Sequence, residues 1–173
     1  MNDILNAMET RCSIRAYRPE PVDRAVVEAI VRAGTYAPSG MGRQSGKIVV
    51  VTDPAVREIL RAKNAEIIGN PAADPFYGAP TVLVVLADST VPTWVEDGSL
   101  VMGNLLLAAA ALEVGACWIH RARETFDSPE GKALLRQWGI PETYRGVGNC
   151  ILGYPAAAPQ PKKPRKSDFV HWV

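Results

Sequence analysis

Residues 100–114 are apolar on nearly every side, interrupted only by Gly103, Asn104 and Glu113. A helix that is apolar all round has no face to offer water, so other elements must wrap it. The run is also shorter than the roughly 20 residues that a bilayer-spanning helix needs. It therefore predicts a buried helix at the centre of a folded domain. Around it lie short runs rich in β-branched residues, which predict core strands over 48–51, 81–86, 117–119 and 146–152. Helical patterns alternate with these strands. A short helix is expected over 2–10. Asp23 is placed to cap a second, in which Val26, Val27, Ile30 and Val31 form an apolar stripe and which ends near 34–36. Asp53 and Pro54 open a third, through about residue 68, and Ser128 caps a fourth over 129–138. Residues 37–44 read as a loop and 69–80 as an irregular connection rich in glycine, proline and alanine. Strands alternating with helices indicate an α/β or α+β domain with helices on both sides of a sheet.

The 173 residues suffice for one domain with a sizeable core. Lysine and arginine total 19 against 18 acidic residues, a net charge of +1 that argues against a general nucleic-acid or membrane-surface binder. The three cysteines, Cys12, Cys117 and Cys150, have neither metal-ligand nor redox spacing, so a reducing, cytoplasmic compartment is expected. The N-terminal residues carry Asp3 and Glu9 and no apolar stretch of signal-peptide length. His120 and His171 are too isolated for a metal site, and no phosphate loop or Gly-x-Gly-x-x-Gly follows a strand. Ser39 lies in Pro-Ser-Gly, not in a nucleophile elbow. No catalytic acid, base, nucleophile or metal is therefore expected from the side chains. Such a chain fits an enzyme whose cofactor carries the chemistry.

Basic residues cluster at the two ends. Arg11, Ser13 and Arg15 are spaced two apart, and Lys162, Lys163, Arg165 and Lys166 surround Pro164. If extended, the first segment sends Arg11, Ser13 and Arg15 from one face, with the arginines roughly 13 Å apart at about 3.3 Å per residue. That suits an elongated anion, but also a solvated basic turn after a short helix. In the 37–44 loop, Pro38 fixes the backbone, Gly40 and Gly42 permit close approach to a flat ligand, and Gln44 offers donor and acceptor. The same pattern also suits an ordinary helix-to-strand loop. After Gly153 the chain is rich in proline and alanine until Phe169, Val170 and Trp172. An arm of that composition cannot return as a helix or central strand, yet its end has strand preference and apolar bulk. It either crosses to another subunit or packs on its own domain.

In order, Arg11-Cys-Ser-Ile-Arg15, Ala37-Pro-Ser-Gly40 with Arg43-Gln44, and Gly78-Ala-Pro80 before an apolar strand form a set with later motifs. Those are Asn104-Leu-Leu-Leu-Ala108, Gly115-Ala-Cys-Trp-Ile119, Gly148 with Ile151-Leu-Gly-Tyr-Pro155, and Lys163-Pro-Arg165. Each is weak alone. Together they span nearly the whole chain and resemble the nitroreductase family of FMN-dependent flavoproteins. The chain departs from that pattern at Cys12, where a basic residue is common, at Ser45-Gly46, where Pro-Trp is common, and at a short 64–76 segment.

The resemblance implies an α+β fold with a central mixed β-sheet flanked by helices. It implies a homodimer with exchanged C-terminal arms and FMN at the dimer interface, residues 1–154 forming the FMN-binding core and 155–173 the arm that crosses to the partner. It implies that Arg11 and Ser13 meet the phosphate or ribityl chain, with Cys12 between them also in the cofactor-binding set, and that Arg15 approaches the pyrimidine end of the ring, where reduction leaves negative charge. Lys163 and Arg165 match the family's C-terminal phosphate pair. Pro38, Ser39 and Gly40 would line the ring from the other subunit, Gln44 also belongs to the cofactor-binding set, and the turn at His120 and Arg121 would aim backbone N–H groups at the flavin N5 region. The activity implied is hydride transfer from NADH or NADPH to FMN, then reduction of a nitro compound, quinone or other small-molecule acceptor in a ping-pong cycle. The alternatives are a flavin-handling protein with little turnover and a non-flavin dimeric binding module.

Overall fold

The computed structural model describes residues 2–159 and 161–173; Met1 and Gln160, which belong to the expected core and arm respectively, lie outside the described residues. Four strands, β1 (Gly46–Val51), β2 (Thr81–Asp88), β3 (Gly115–Ile119) and β4 (Tyr144–Gly153), form one sheet in the order β1-β2-β4-β3. Every neighbouring pair is antiparallel. The expected mixed sheet is thus corrected within this chain: all its strands are joined so that neighbours run in opposite directions. A bulge in β4 leaves Val147 unpaired opposite Val85 and Leu86 of β2 and shifts the register by one residue.

Six helices flank the sheet: α1 (Asp3–Thr10), α2 (Arg24–Thr35), α3 (Pro54–Ile67), α4 (Trp94–Ala111), α5 (Ala122–Asp127) and α6 (Pro129–Gln137). The period-two alternation of β2 sorts them. Leu83, Val85 and Ala87 face Ile30 of α2 and Met102 and Leu105 of α4. Val82, Val84 and Leu86 face Leu60 of α3, Phe126 of α5 and Leu135 of α6. Helices on both sides of the sheet follow directly. Asn2, Asp53 and Ser128 cap their helices by accepting from the N–H of Ile4, Ala55 and Gly131 at 2.9, 2.8 and 3.1 Å. Asp23 holds the position expected of a cap but makes no side-chain capping bond; its backbone carbonyl accepts from Val26 and Val27 instead.

Three expectations change. The 48–51 run is an edge strand that pairs only with β2, and Val50 is 44% exposed rather than buried on both faces. The central helix begins at Trp94, because Glu96 and Asp97 favour a helix N-terminus that their charge disguises in an apolar search. That helix is not wrapped on all sides either: Leu100 and Leu112 remain exposed, as do Ile4, Leu5 and Met8 of α1. The short α5 was not foreseen at all. It lies so close to β4 that a Cβ on Gly146 would stand 2.1 Å from the Ala122 carbonyl oxygen, which only glycine avoids. Beyond Gly153, Tyr17 bridges Pro155 and the Ala156 N–H donates to Ala16 O at 2.9 Å. The described remainder of the arm is exposed, Phe169 and Trp172 by 82% and 89%. The root of the arm is therefore joined to its own domain, while its apolar end is not buried there. No helix is long and apolar enough to cross a membrane among the described residues.

Candidate functional site

The segment after α1 is fastened at three points. The Ile14 N–H donates to Ala116 O of β3 at 3.0 Å, the Tyr17 hydroxyl donates to Ile14 O at 2.7 Å, and the Arg18 N–H donates to Tyr154 O at 2.9 Å. Burial pushes the Tyr17 phenol far above its ordinary pKa, helped by its neighbours Cys117 and Cys150, so it stays a neutral donor. Ile14 is buried and Arg15 exposed, as an extended segment alternating between core and solvent requires.

Arg15 leans over a cleft of about 380 Å³ whose other walls include Tyr77, Cys117, Ile119, His120 and Arg121. Its volume is within the ~300–1,000 Å³ of ligand sites. Its lining mixes apolar Ile68, Cys117, Trp118 and Ile119 with charged Arg15, Asp74 and Arg121. Ser13 and Arg15 also border a smaller hollow of about 160 Å³ closed by Ala157 and Pro159 at the root of the arm. The turn at the cleft's edge is held from below: buried Asn64 of α3 donates through Nδ2 to His120 O at 2.8 Å. Arg121 then takes a left-handed φ of 76° and pairs with Glu124 at 3.1 Å. The fourth wall, 69–80, is irregular as expected but pinned. Asp74 accepts from the N–H groups of Phe76 and Gly78, each at 2.8 Å, and from Arg57 at 2.9 Å. Arg57 also donates to Ala79 O at 2.7 Å. Desolvation raises the Asp74 pKa, but Arg57 and the two N–H donors outweigh it and hold it below the ordinary value.

The 37–44 loop builds a second cleft of about 240 Å³, lined by Pro38, Ser39, Gln44 and Asp97 among others. Asp97 organises it. Its carboxylate, 2% exposed, accepts from Gly40 N–H at 2.8 Å, Ser45 Oγ at 2.6 Å and Thr93 Oγ1 at 3.3 Å. The Ser39 hydroxyl in turn accepts from the Gln44 N–H at 2.9 Å. At Gly40 a Cβ would meet Thr93 Oγ1 at 2.3 Å, so the missing side chain lets the loop pack against Thr93. Desolvation pushes Asp97 up, yet the three donors win and its pKa lies below the ordinary aspartate value. A depressed carboxyl stabilises the fold above its unfolded pKa of about 3.9, and the gain is lost as pH falls through the folded value. Asp97→Asn is accordingly expected to cost about 1–2 kcal/mol at pH 7. Urea unfolding at pH 7 and pH 3 checks this: the gap should narrow in acid, and a gap independent of pH would remove the carboxylate's charge from the account.

The two clefts share no lining residue. Arg15, His120 and Arg121 meet at one; Pro38, Ser39 and Gln44 at the other, with Gly40 tied beneath it through Asp97. Arg11 and Cys12 are partly buried and line neither, and Lys163 and Arg165 stand exposed on the arm. One chain therefore carries two separate parts of the expected set. The sequence reading missed Asp97, Asn64, Tyr77 and the Arg57–Asp74 pair. Asp97 alone left a signal, as a charged residue in the first turn of a helix otherwise apolar.

Comparison with known proteins gives a consistent picture. A model of the nitroreductase family matches residues 8–154. An NADH dehydrogenase of Thermus thermophilus is 38% identical over 150 residues, 87% of this chain and 67% of that one. The crystal structure of a nitroreductase with bound FMN from Bacteroides fragilis superposes with a TM-score of 0.90 at 28% identity, covering all of both chains. An FMN-dependent nitroreductase from Clostridium difficile gives a TM-score of 0.84 at 25% identity over 99% of each chain. The chain belongs to the nitroreductase family.

Proposed function

We propose that the protein is an FMN-dependent oxidoreductase that takes hydride from NADH or NADPH and reduces a nitro compound, quinone or related small-molecule acceptor in a ping-pong cycle. The observation that carries the reading is the pair of separate half-sites in a chain whose fold matches an FMN-bearing relative end to end. Bound FMN would supply the two-electron chemistry, accepting hydride and returning it. The residues present fit such a group: apolar lining residues for a flat ring, an arginine at its rim, and further cations for a phosphate. Arg11, Cys12, Ser13, Lys163 and Arg165 would hold the phosphate and its chain. Arg15 brings positive charge to the ring, and the His120–Arg121 turn flanks it. Pro38, Ser39, Gly40 and Gln44 would cover the ring from a second copy.

A homodimer is part of this reading. Ile4, Leu5 and Met8 of α1 and Leu100 of α4 are exposed apolar residues that a second copy would cover, and the arm adds Phe169, Val170 and Trp172. The open edge of β1 adjoins a hollow of about 590 Å³ floored by Val22, Val27, Val31 and Val50, which suits an arm end of this kind. On this reading residues 1–154 are the FMN-binding core and 155–173 the exchanged arm. Location in the cytoplasm accords with three unpaired thiols, Cys12, Cys117 and Cys150.

The absorption spectrum of the purified protein tests the proposal. It should be yellow, with one releasable FMN per subunit, bleach on anaerobic NADH or NADPH, and recover on adding a quinone. A yellow protein that neither nucleotide bleaches would make it a flavin-handling protein, and one without FMN affinity would end the reading.

A further inference from the structure

Tyr77 is the one bulky aromatic residue at the rim of the Arg15 cleft whose backbone is in the left-handed region, with φ 53°. That conformation strains any residue with a Cβ, and a large side chain seldom occupies it. Its neighbours leave it no alternative. Its own N–H donates to Asp74 O at 3.0 Å, while Phe76 before it and Gly78 after it are both tied to the Asp74 carboxylate. Phe76 is fully buried under Arg57, whose guanidinium stands 5.8 Å from the ring. The Tyr77 side chain itself is 43% exposed, so it does not pack in the core that its neighbour Phe76 fills. A strained residue held by everything around it, with its ring left at the mouth of a cleft, is a residue placed to meet a ligand.

Position decides which ligand. Cys117, 1% exposed, belongs to the floor, where a resident group would lie. Tyr77 stands at the rim with Arg15, His120 and Arg121, where a molecule that comes and goes must pass. A tyrosine face attracts a planar π-system, and Arg15 at the same cleft attracts an anionic substituent. Resting on the FMN reading above, we infer that Tyr77 is a specificity-determining residue that stacks on planar aromatic electron acceptors, those with an anionic substituent above all.

The holoenzyme tests this with 4-nitrobenzoate as the aromatic acceptor and ferricyanide as a small acceptor that has no ring to stack. Tyr77→Ala should raise the KM for 4-nitrobenzoate about five- to tenfold, with FMN affinity and ferricyanide turnover unchanged. Tyr77→Phe should retain the wild-type KM. Tyr77→Gly should lose the aromatic preference like alanine while melting no lower than wild type, because glycine relieves the strained φ. That pairing of worse acceptor binding with undiminished stability is not what a structural residue gives. An unchanged KM in Tyr77→Ala would overturn the inference. So would FMN affinity falling in step with the KM, which would make Tyr77 a cofactor contact, or a lowered melting temperature in Tyr77→Gly. A wild type that binds no FMN overturns the parent reading instead, and is seen before any variant is made.

Discussion

Truncation after Gly153 is expected to give monomeric or insoluble protein that has also lost its flavin. The arm is held to its own core at its root, where Ala156 donates to Ala16 O, and by a Lys162 contact with Glu9 O. Past that it presents Phe169, Val170 and Trp172 to solvent at 82%, 63% and 89% exposure. Burying one such large apolar side chain is worth about 1.5–3 kcal/mol, so the three together would supply a substantial share of a dimer's stability. Lys163 and Arg165 leave with the same cut, which removes two of the proposed phosphate partners. Light scattering after size exclusion, with the flavin absorbance followed in parallel, reads both effects. A Phe169→Ala/Trp172→Ala variant separates them, since it keeps the basic pair and should weaken the dimer first. A truncated chain that remains dimeric and yellow would refute the crossing arm.

Elements whose signal is local were legible in the sequence. The caps at Asp53 and Ser128 start their helices where expected because a side-chain oxygen and a following proline act within one turn. The β2 run was legible because an unbroken apolar stretch rich in valine has few other fates. Sidedness was not. Nothing local tells Ile48–Val51 of β1, an edge strand, from Thr81–Asp88 of β2, a central one, since both read as apolar runs. The short α5 carries too few apolar residues for a period, and its place is fixed by Gly146 across the sheet. The direction of the strands likewise depends on the whole chain path, which is why a mixed sheet was expected and an antiparallel one is found.

The site divides in the same way. The basic residues and the Pro38–Gln44 loop announced themselves through composition and order. What holds them did not. Asp97 and Gly40 are separated by 57 positions and Asn64 and His120 by 56, so no window of sequence contains either bond. These supporting groups are also ordinary residue types, informative only once the fold has brought them beneath a turn.

Arg15→Ala is expected to slow reduction by NADH or NADPH by more than tenfold, above roughly 1.4 kcal/mol in the barrier. Arg15 is exposed at the cleft, and among the described residues no carboxylate pairs with it. Arg121 beside it is already engaged by Glu124. On the proposed reading, Arg15 would be the charge free to stabilise electron density arriving at the site. Other candidates are poorly placed for chemistry. Cys117 is buried, with its sulfur 3.7 Å from Trp118 O, and burial pushes the Cys150 thiol well above its ordinary pKa, so it stays protonated. The hydrogen bond that steadies His120 is made through its backbone carbonyl, not its ring. Cys12→Ser, Cys117→Ser and His120→Ala should each stay within about tenfold of wild type, a loss below roughly 1.4 kcal/mol. Anaerobic stopped-flow reduction at matched flavin occupancy compares the four variants directly, since it separates the chemical step from cofactor retention. A dead cysteine or histidine variant beside an unaffected Arg15→Ala would mean that a side chain, not a positioned charge on a cofactor-driven reaction, carries the rate.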